Sequence, residues 1–199
     1  PVNLPVECWQ PIVSANQRGM DFMVKHGIKG VIGGGAIVGG EGESLAHKWQ
    51  ETLARSGRET ELGEDLLLTY TLQLADSQEK AVQQAQTYYE EHLKMFAPLN
   101  MVAGLTEEQI RATSDPVAAV DANLPTLNDE LKSGTFLCGP PSQIIDSLMS
   151  VQERLPGLEY VNVGFPIATP LTVILEQLDW FARDVMPAFK NQKASPSLG

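Results

Sequence analysis

Residues 66–75 read LLLTYTLQLA. Leu66, Leu68, Tyr70, Leu72 and Leu74 fall on one face of an extended strand, and Thr69, Thr71 and Gln73 fall on the other. A central strand of a doubly wound sheet has helices on both faces and reads apolar throughout. A β/α barrel strand has helices outside only, so polar side chains can face inward. The two-sided pattern favours the barrel, with the doubly wound sheet as the competitor.

Outward from this strand, β and α patterns alternate. Upstream, Glu7–Ser14 (ECWQPIVS) reads as a strand, blemished by Pro11, which cannot donate to a ladder. Asn16–His26 reads as a helix stopped by Gly27, and Ile28–Ile32 as a second strand running into a glycine cluster. Glu43–Ser56 is the next helix. Downstream, Asp76 or Ser77 caps a helix to about Met95, and Thr106 with Gln109 has capping-box spacing. Residues 100–135 are otherwise irregular. Pro140 and Pro141 open a helix to Arg154, Glu159–Phe165 is the fourth strand, and Thr169 with Pro170 starts a last helix ending near Met186.

Alternation of this kind implies a parallel sheet with right-handed crossovers. Four strands are half of a closed barrel. The outer strands would then expose unpaired backbone, so a second copy, another chain or a further N-terminal segment is expected to complete the structure. The chain begins at Pro1, which leaves room for sequence upstream. Residues 1–190 are expected to form one half-barrel domain, and 191–199 a disordered tail.

The 199 residues carry a net charge of −11 and are 43% hydrophobic, enough for one core. That charge argues against nucleic acid or anionic membranes as partners, so a bound phosphate needs local donors. No apolar run is long enough to span a bilayer. Cys8 and Cys138 form no motif and are expected to be reduced thiols of a cytoplasmic protein. His26, His47 and His92 lack ligand spacing, and no metal is expected. No Gly-x-Ser-x-Gly elbow is present. The acidic stretch Glu59–Asp65 reads as a solvated face.

Three turns are candidates for chemistry. In the first, QPIVSANQRG (10–19), a helix start offers free N–H groups, Ser14 a hydroxyl, Arg18 a charge and Gly19 close backbone approach, which suits a phosphate. The alternative is a plain N-cap serine before an exposed arginine. The second, IGGGA (32–36), leaves backbone amides uncovered, or is a flexible connection. The third, GFPIATP (164–170), ends a strand, where barrel sites lie, or is a turn with a capping threonine.

These pieces resemble the luciferase-like flavin-dependent monooxygenases. The resemblance runs through WQPIVSANQRGMDFMVKHGIKGVIGGGA (9–36), LLLTYTLQLADSQEKA (66–81), FLCGPPSQIIDSL (136–148), PGLEYVNVGF (156–165) and LEQLDWFARDVMPAF (175–189), in order. It implies the second half of a (β/α)8 TIM-type barrel. It also implies reduced FMN from a separate flavin reductase, molecular oxygen and an organic substrate. Carried over by position, it places the FMN phosphate on Ser14, Ala15 and Asn16, with Arg18 and Gly19 close by. Gln10 lies on the strand leading in, and Gly33 and Gly34 border the flavin. Residues 100–135 fall near the family's mobile active-site excursion. The family's substrate and proton-handling residues lie largely in the other half, so no catalytic residue is assigned. A deazaflavin-dependent oxidoreductase of the same superfamily and a non-catalytic flavin-binding or partner subunit are the alternatives.

Overall fold

The computed structural model describes residues 6–33, 37, 40–99, 102 and 105–190. The chain divides into two compact units. The first is Pro1–Thr71, Lys132–Phe136 and Ser147–Gly164; the second is Leu72–Leu131, Leu137–Asp146 and Phe165–Gly199.

The first unit contains β1 (Cys8–Pro11), α1 (Gln17–Lys25), β2 (Ile28–Gly33), α2 (Glu41–Arg55) and the larger part of β3 (Leu66–Leu74). Of the later elements in the chain, β5 (Tyr160–Gly164) belongs to it. β1 pairs with β2, β2 with β3, and β3 with β5, all parallel. In register, Gly30 lies opposite Gln10 and Leu66, while Gly33 lies opposite Thr69, which lies opposite Asn162.

The two faces of β3 differ as its alternation requires. Leu66, Leu68 and Tyr70 are 1%, 0% and 4% exposed, whereas Leu67, Thr69 and Thr71 are half-buried. α1 and α2 pack on β2 and on each other. Met20 and Met23 of α1, Trp49 and Leu53 of α2, and Ile32 of β2 are all buried. Burying each such side chain contributes about 1.5–3 kcal/mol. Gly30 is buried between neighbours: a Cβ there would stand 2.6 Å from Ile12 Cδ1 and 2.7 Å from Leu66 Cδ2.

Pro11 is tolerated for a geometric reason. Ile12 N–H donates to Val31 O at 2.8 Å, so Ile12 turns its backbone toward β2. Neighbouring residues of a strand point their backbone groups to opposite edges. The proline nitrogen therefore faces away from β2, and no bond of the β1–β2 ladder is lost.

The second unit contains the end of β3, α3 (Gln78–Phe96), α4 (Glu107–Ala112), α5 (Pro116–Asp121) and α6 (Leu127–Ser133, to Leu131). The short strand β4 (Phe136–Gly139) follows, and Ala75 N–H donates to Gly139 O at 3.2 Å. α7 (Pro141–Arg154) is divided between the units, and α8 (Leu171–Trp180) and α9 (Pro187–Lys190) complete the second. Ser77, not Asp76, caps α3, accepting from Lys80 N–H. The expected capping box at Thr106 and Gln109 is present. Among the described residues, 105–135 hold three short helices. β4 is one strand more than the four read from the sequence. The parallel α/β character stands; among the described residues the count rises to five, and β4 escaped the pattern because FLCG is buried at every position and carries no alternation.

Candidate cofactor site after the first strand

The turn after β1 is built by alternation running out. Ile12 is buried and Val13 is 90% exposed. Ser14, Ala15 and Asn16 then lie in solvent before α1 begins. The cap of α1 is Asn16: its side chain accepts from Gly19 N–H at 3.5 Å, and its carbonyl accepts from Met20 N–H at 3.1 Å. The Ser14 hydroxyl is therefore not spent on the helix. Among the described residues, neither Ser14 nor the Arg18 side chain has a hydrogen-bond or ion-pair partner. The amides of Gln17 and Arg18, in the first turn, have no acceptor within their own helix.

A residue the sequence reading passed over joins this turn. Lys48 Nζ, from α2, donates to Ala15 O at 2.7 Å. Gln17 Nε2 donates to Asp21 Oδ1 at 2.8 Å and to Thr52 Oγ1 at 3.0 Å, and Thr52 Oγ1 donates to Lys48 O at 2.8 Å. This polar seam ties α1 to α2 and fixes the turn from the side. Thirty-three residues separate Lys48 from Ala15, so no local spacing marks the contact.

The other expected residues divide between the sheet faces. A Cβ on Gly19 would meet only Asn16 Cγ at 4.0 Å, and one on Gly33 would meet nothing within 4 Å. Gly33 shares its row with Thr69 and Asn162. Gln10 is exposed but aligns with Gly30 and Leu66, on the opposite face. The structure thus does not bring Gln10 and Gly33 together. Gly34 lies outside the described residues.

The face carrying Gly33 has two ends of different character. Toward the strand starts, Trp9 and Tyr160 meet edge to face at 5.3 Å, with Lys29 Nζ 5.1 Å and 5.8 Å from their ring centres. Lys29 also bonds Glu7 at 2.8 Å and lies 3.5 Å from Asp65, and the Glu7 hydrogen bond above all holds its pKa up. Asp65 further pairs with Arg58 at 2.6 Å, so the end of the acidic stretch is an ion-pair network rather than a plain solvated face. Toward the strand ends lie Gly33, Thr69, Thr71, Asn162 and Gly164, small or polar side chains.

The turn after β5 belongs to the second unit. Thr169 does not cap the last helix; that place is taken by Pro170. The Thr169 hydroxyl instead donates to Pro166 O at 2.7 Å, closing the turn on itself. Ala168 adopts φ 69°, and Ile167 N–H donates to His92 Nδ1 at 3.5 Å.

Among the described residues, no three His, Cys, Asp or Glu side chains gather as a metal site. Burial pushes the Cys138 thiol up to about 12, while Cys8 is exposed. No helix among these residues is long and apolar enough to cross a membrane. A groove of about 610 Å³ runs along α3 and α6 past Val82, Gln86, Asn128 and Leu131, and none of the expected site residues lines it.

No protein-family model matches the sequence, nor does any curated protein. Solved structures match the fold. Monooxygenase RslO1 from Streptomyces bottropensis superposes with TM-score 0.60 at 11% identity, over 91% of this chain and 47% of its own. The oxygenating constituent of 3,6-diketocamphane monooxygenase from the CAM plasmid of Pseudomonas putida is a type II Baeyer–Villiger enzyme solved with FMN. It matches at 0.60 and 17% identity, over 92% and 48%. The coenzyme F420-dependent tetrahydromethanopterin reductase of Methanopyrus kandleri matches at 0.60 and 13%, over 93% and 51%. The chain spans about half the length of these structures, and over that half it has the α/β fold of the luciferase-like barrels.

Proposed function

We propose that the chain forms the second half of a luciferase-like flavin-dependent monooxygenase, and that the turn from Ser14 to Gly19 holds the phosphate of FMN. The observation that carries this reading is a set of unspent donors at the C-terminal end of a parallel strand. Ser14 and Arg18 are exposed beside the Gln17 and Arg18 amides that α1 leaves without an acceptor, in a chain whose overall charge opposes any anion. The donor set fits a phosphate in number and charge. Asn16 keeps the helix start ordered, and Lys48 supports the turn through Ala15 O. Gly33, with no Cβ to crowd the end of β2, leaves room for a flat ring.

The chemistry such a cofactor supplies when bound is two-electron reduction of oxygen toward oxygenation of an organic substrate. The chain's share is to anchor the phosphate, border the ring and exclude water. A separate reductase supplies the reduced flavin, the remaining strands complete the barrel, and the protein works in the cytoplasm.

Equilibrium dialysis against FMN, on the protein in its native assembly, tests the placement. Ser14→Ala with Arg18→Ala removes two charge-assisted partners, and an affinity loss of about 10- to 100-fold is expected. Unchanged affinity removes the phosphate from this turn. The match to an F420-dependent reductase favours one second reading, a deazaflavin enzyme that transfers hydride without oxygen. Oxygen uptake during turnover separates the two.

A further inference from the structure

We propose that His92 is a positioning residue for the loop 165–170, its Nδ1 serving as the acceptor that holds the Ile167 amide, and that protonation of the imidazole releases the loop. The loop needs holding. Ala168 sits at φ 69°, a conformation that L-residues with a Cβ adopt only when their surroundings impose it. Two restraints impose it here. One is internal, the Thr169 hydroxyl and amide bonding to Pro166 O. The other comes from α3, where His92 packs against Phe96 with ring centres 4.5 Å apart and planes tilted by 50°, and accepts from Ile167 N–H at 3.5 Å.

Only the second restraint can be switched by a proton. Neutral imidazole offers one acceptor nitrogen, whereas imidazolium offers two donors and none. A protonated His92 would set N–H against N–H. The loop Phe165–Pro170 carries no titratable side chain, and burial is what moves the His92 pKa. On α3 the charged residues beside it in sequence, Glu91 and Lys94, pair with each other at 2.7 Å in solvent. Burial lowers the pKa of His92 below the ordinary histidine value, so the ring is neutral and accepting near neutral pH. The sign follows: for a base with a lowered folded-state pKa, the stabilisation is complete above the unfolded value of about 6.5 and is lost as pH falls toward the folded value.

Amide hydrogen exchange at Ile167, read by NMR as a protection factor corrected for intrinsic rate, tests this between about pH 7.5 and about pH 5, the range that brackets histidine titration. In the wild-type protein protection falls about fivefold across this range, the population change one net hydrogen bond commands. His92→Gln retains an acceptor without the titration and keeps protection at the acid end. His92→Phe keeps a ring against Phe96 without the acceptor and is unprotected at both ends. A wild-type protection factor that does not change with pH overturns the proposal, and so does equal protection in wild type and His92→Phe. Should His92→Phe fail to fold, the wild-type pH series alone decides.

Discussion

The turn after β1 and the turn after β5 both follow parallel strands, yet they spend their polar groups in opposite ways. Around Ser14 the donors face outward: the serine hydroxyl, the arginine and the amides of Gln17 and Arg18 have no partner among the described residues, while Gly19 N–H is held by Asn16. Around Thr169 the donors are turned inward, the hydroxyl onto Pro166 and the Ile167 amide onto His92. A turn that bonds to itself contributes to the framework, and a turn that does not is available to a ligand. Sequence alone makes the two look alike, since each is a strand end followed by a hydroxyl residue and a helix.

Substitutions can break this contrast from the framework side first. Gln177 of α8 is 4% exposed and binds one backbone unit of β3 twice: it accepts from Leu74 N–H at 2.6 Å and donates to Leu74 O at 3.1 Å. Gln73 Nε2 also reaches that carbonyl, at 3.3 Å, so a leucine at 177 orphans chiefly the amide. Gln177→Leu is expected to cost about 2–3 kcal/mol in urea unfolding. A loss under about 0.5 kcal/mol would mean that this clamp holds nothing. Next in size is Ala168→Gly. Removing the Cβ relieves a positive φ at the cost of added chain entropy, and a net gain of about 0.5–1 kcal/mol is expected in the same assay. Smallest is the effect on stability of Ser14→Ala with Arg18→Ala, expected within about 0.5 kcal/mol of wild type. A large loss there would move the first turn into the framework class and dissolve the contrast.

What was legible in the chain follows from how local each signal is. The two faces of β3 could be read from Leu66 to Thr71 because the alternation lies within one strand, whereas Gln73, expected on the polar face, is 2% exposed and ends the pattern. The capping box at Thr106 could be read because its partners are three residues apart. β4 was missed because four buried residues carry no period. The caps at Asn16 and Pro170 were each displaced by one or two residues from the nearest hydroxyl, because hydroxyl residues near a helix start also serve turns. Lys48, Gln177 and His92 were not legible as partners. Each acts on backbone that is 33, 103 or 75 residues away, and an amide or cation on a helix reads simply as solvated.

Gly30 connects the sheet to the first turn. Its missing methyl is the space that the tips of Ile12 and Leu66 fill from two sides. Ile12 is the last anchored residue before the chain leaves for Ser14. The packing beneath the donor turn thus includes a position on the neighbouring strand that carries no side chain. In evolutionary terms this makes residue 30 a gatekeeper. Drift there to even the smallest side chain must displace the tips of Ile12 and Leu66, so these three positions are expected to be coupled.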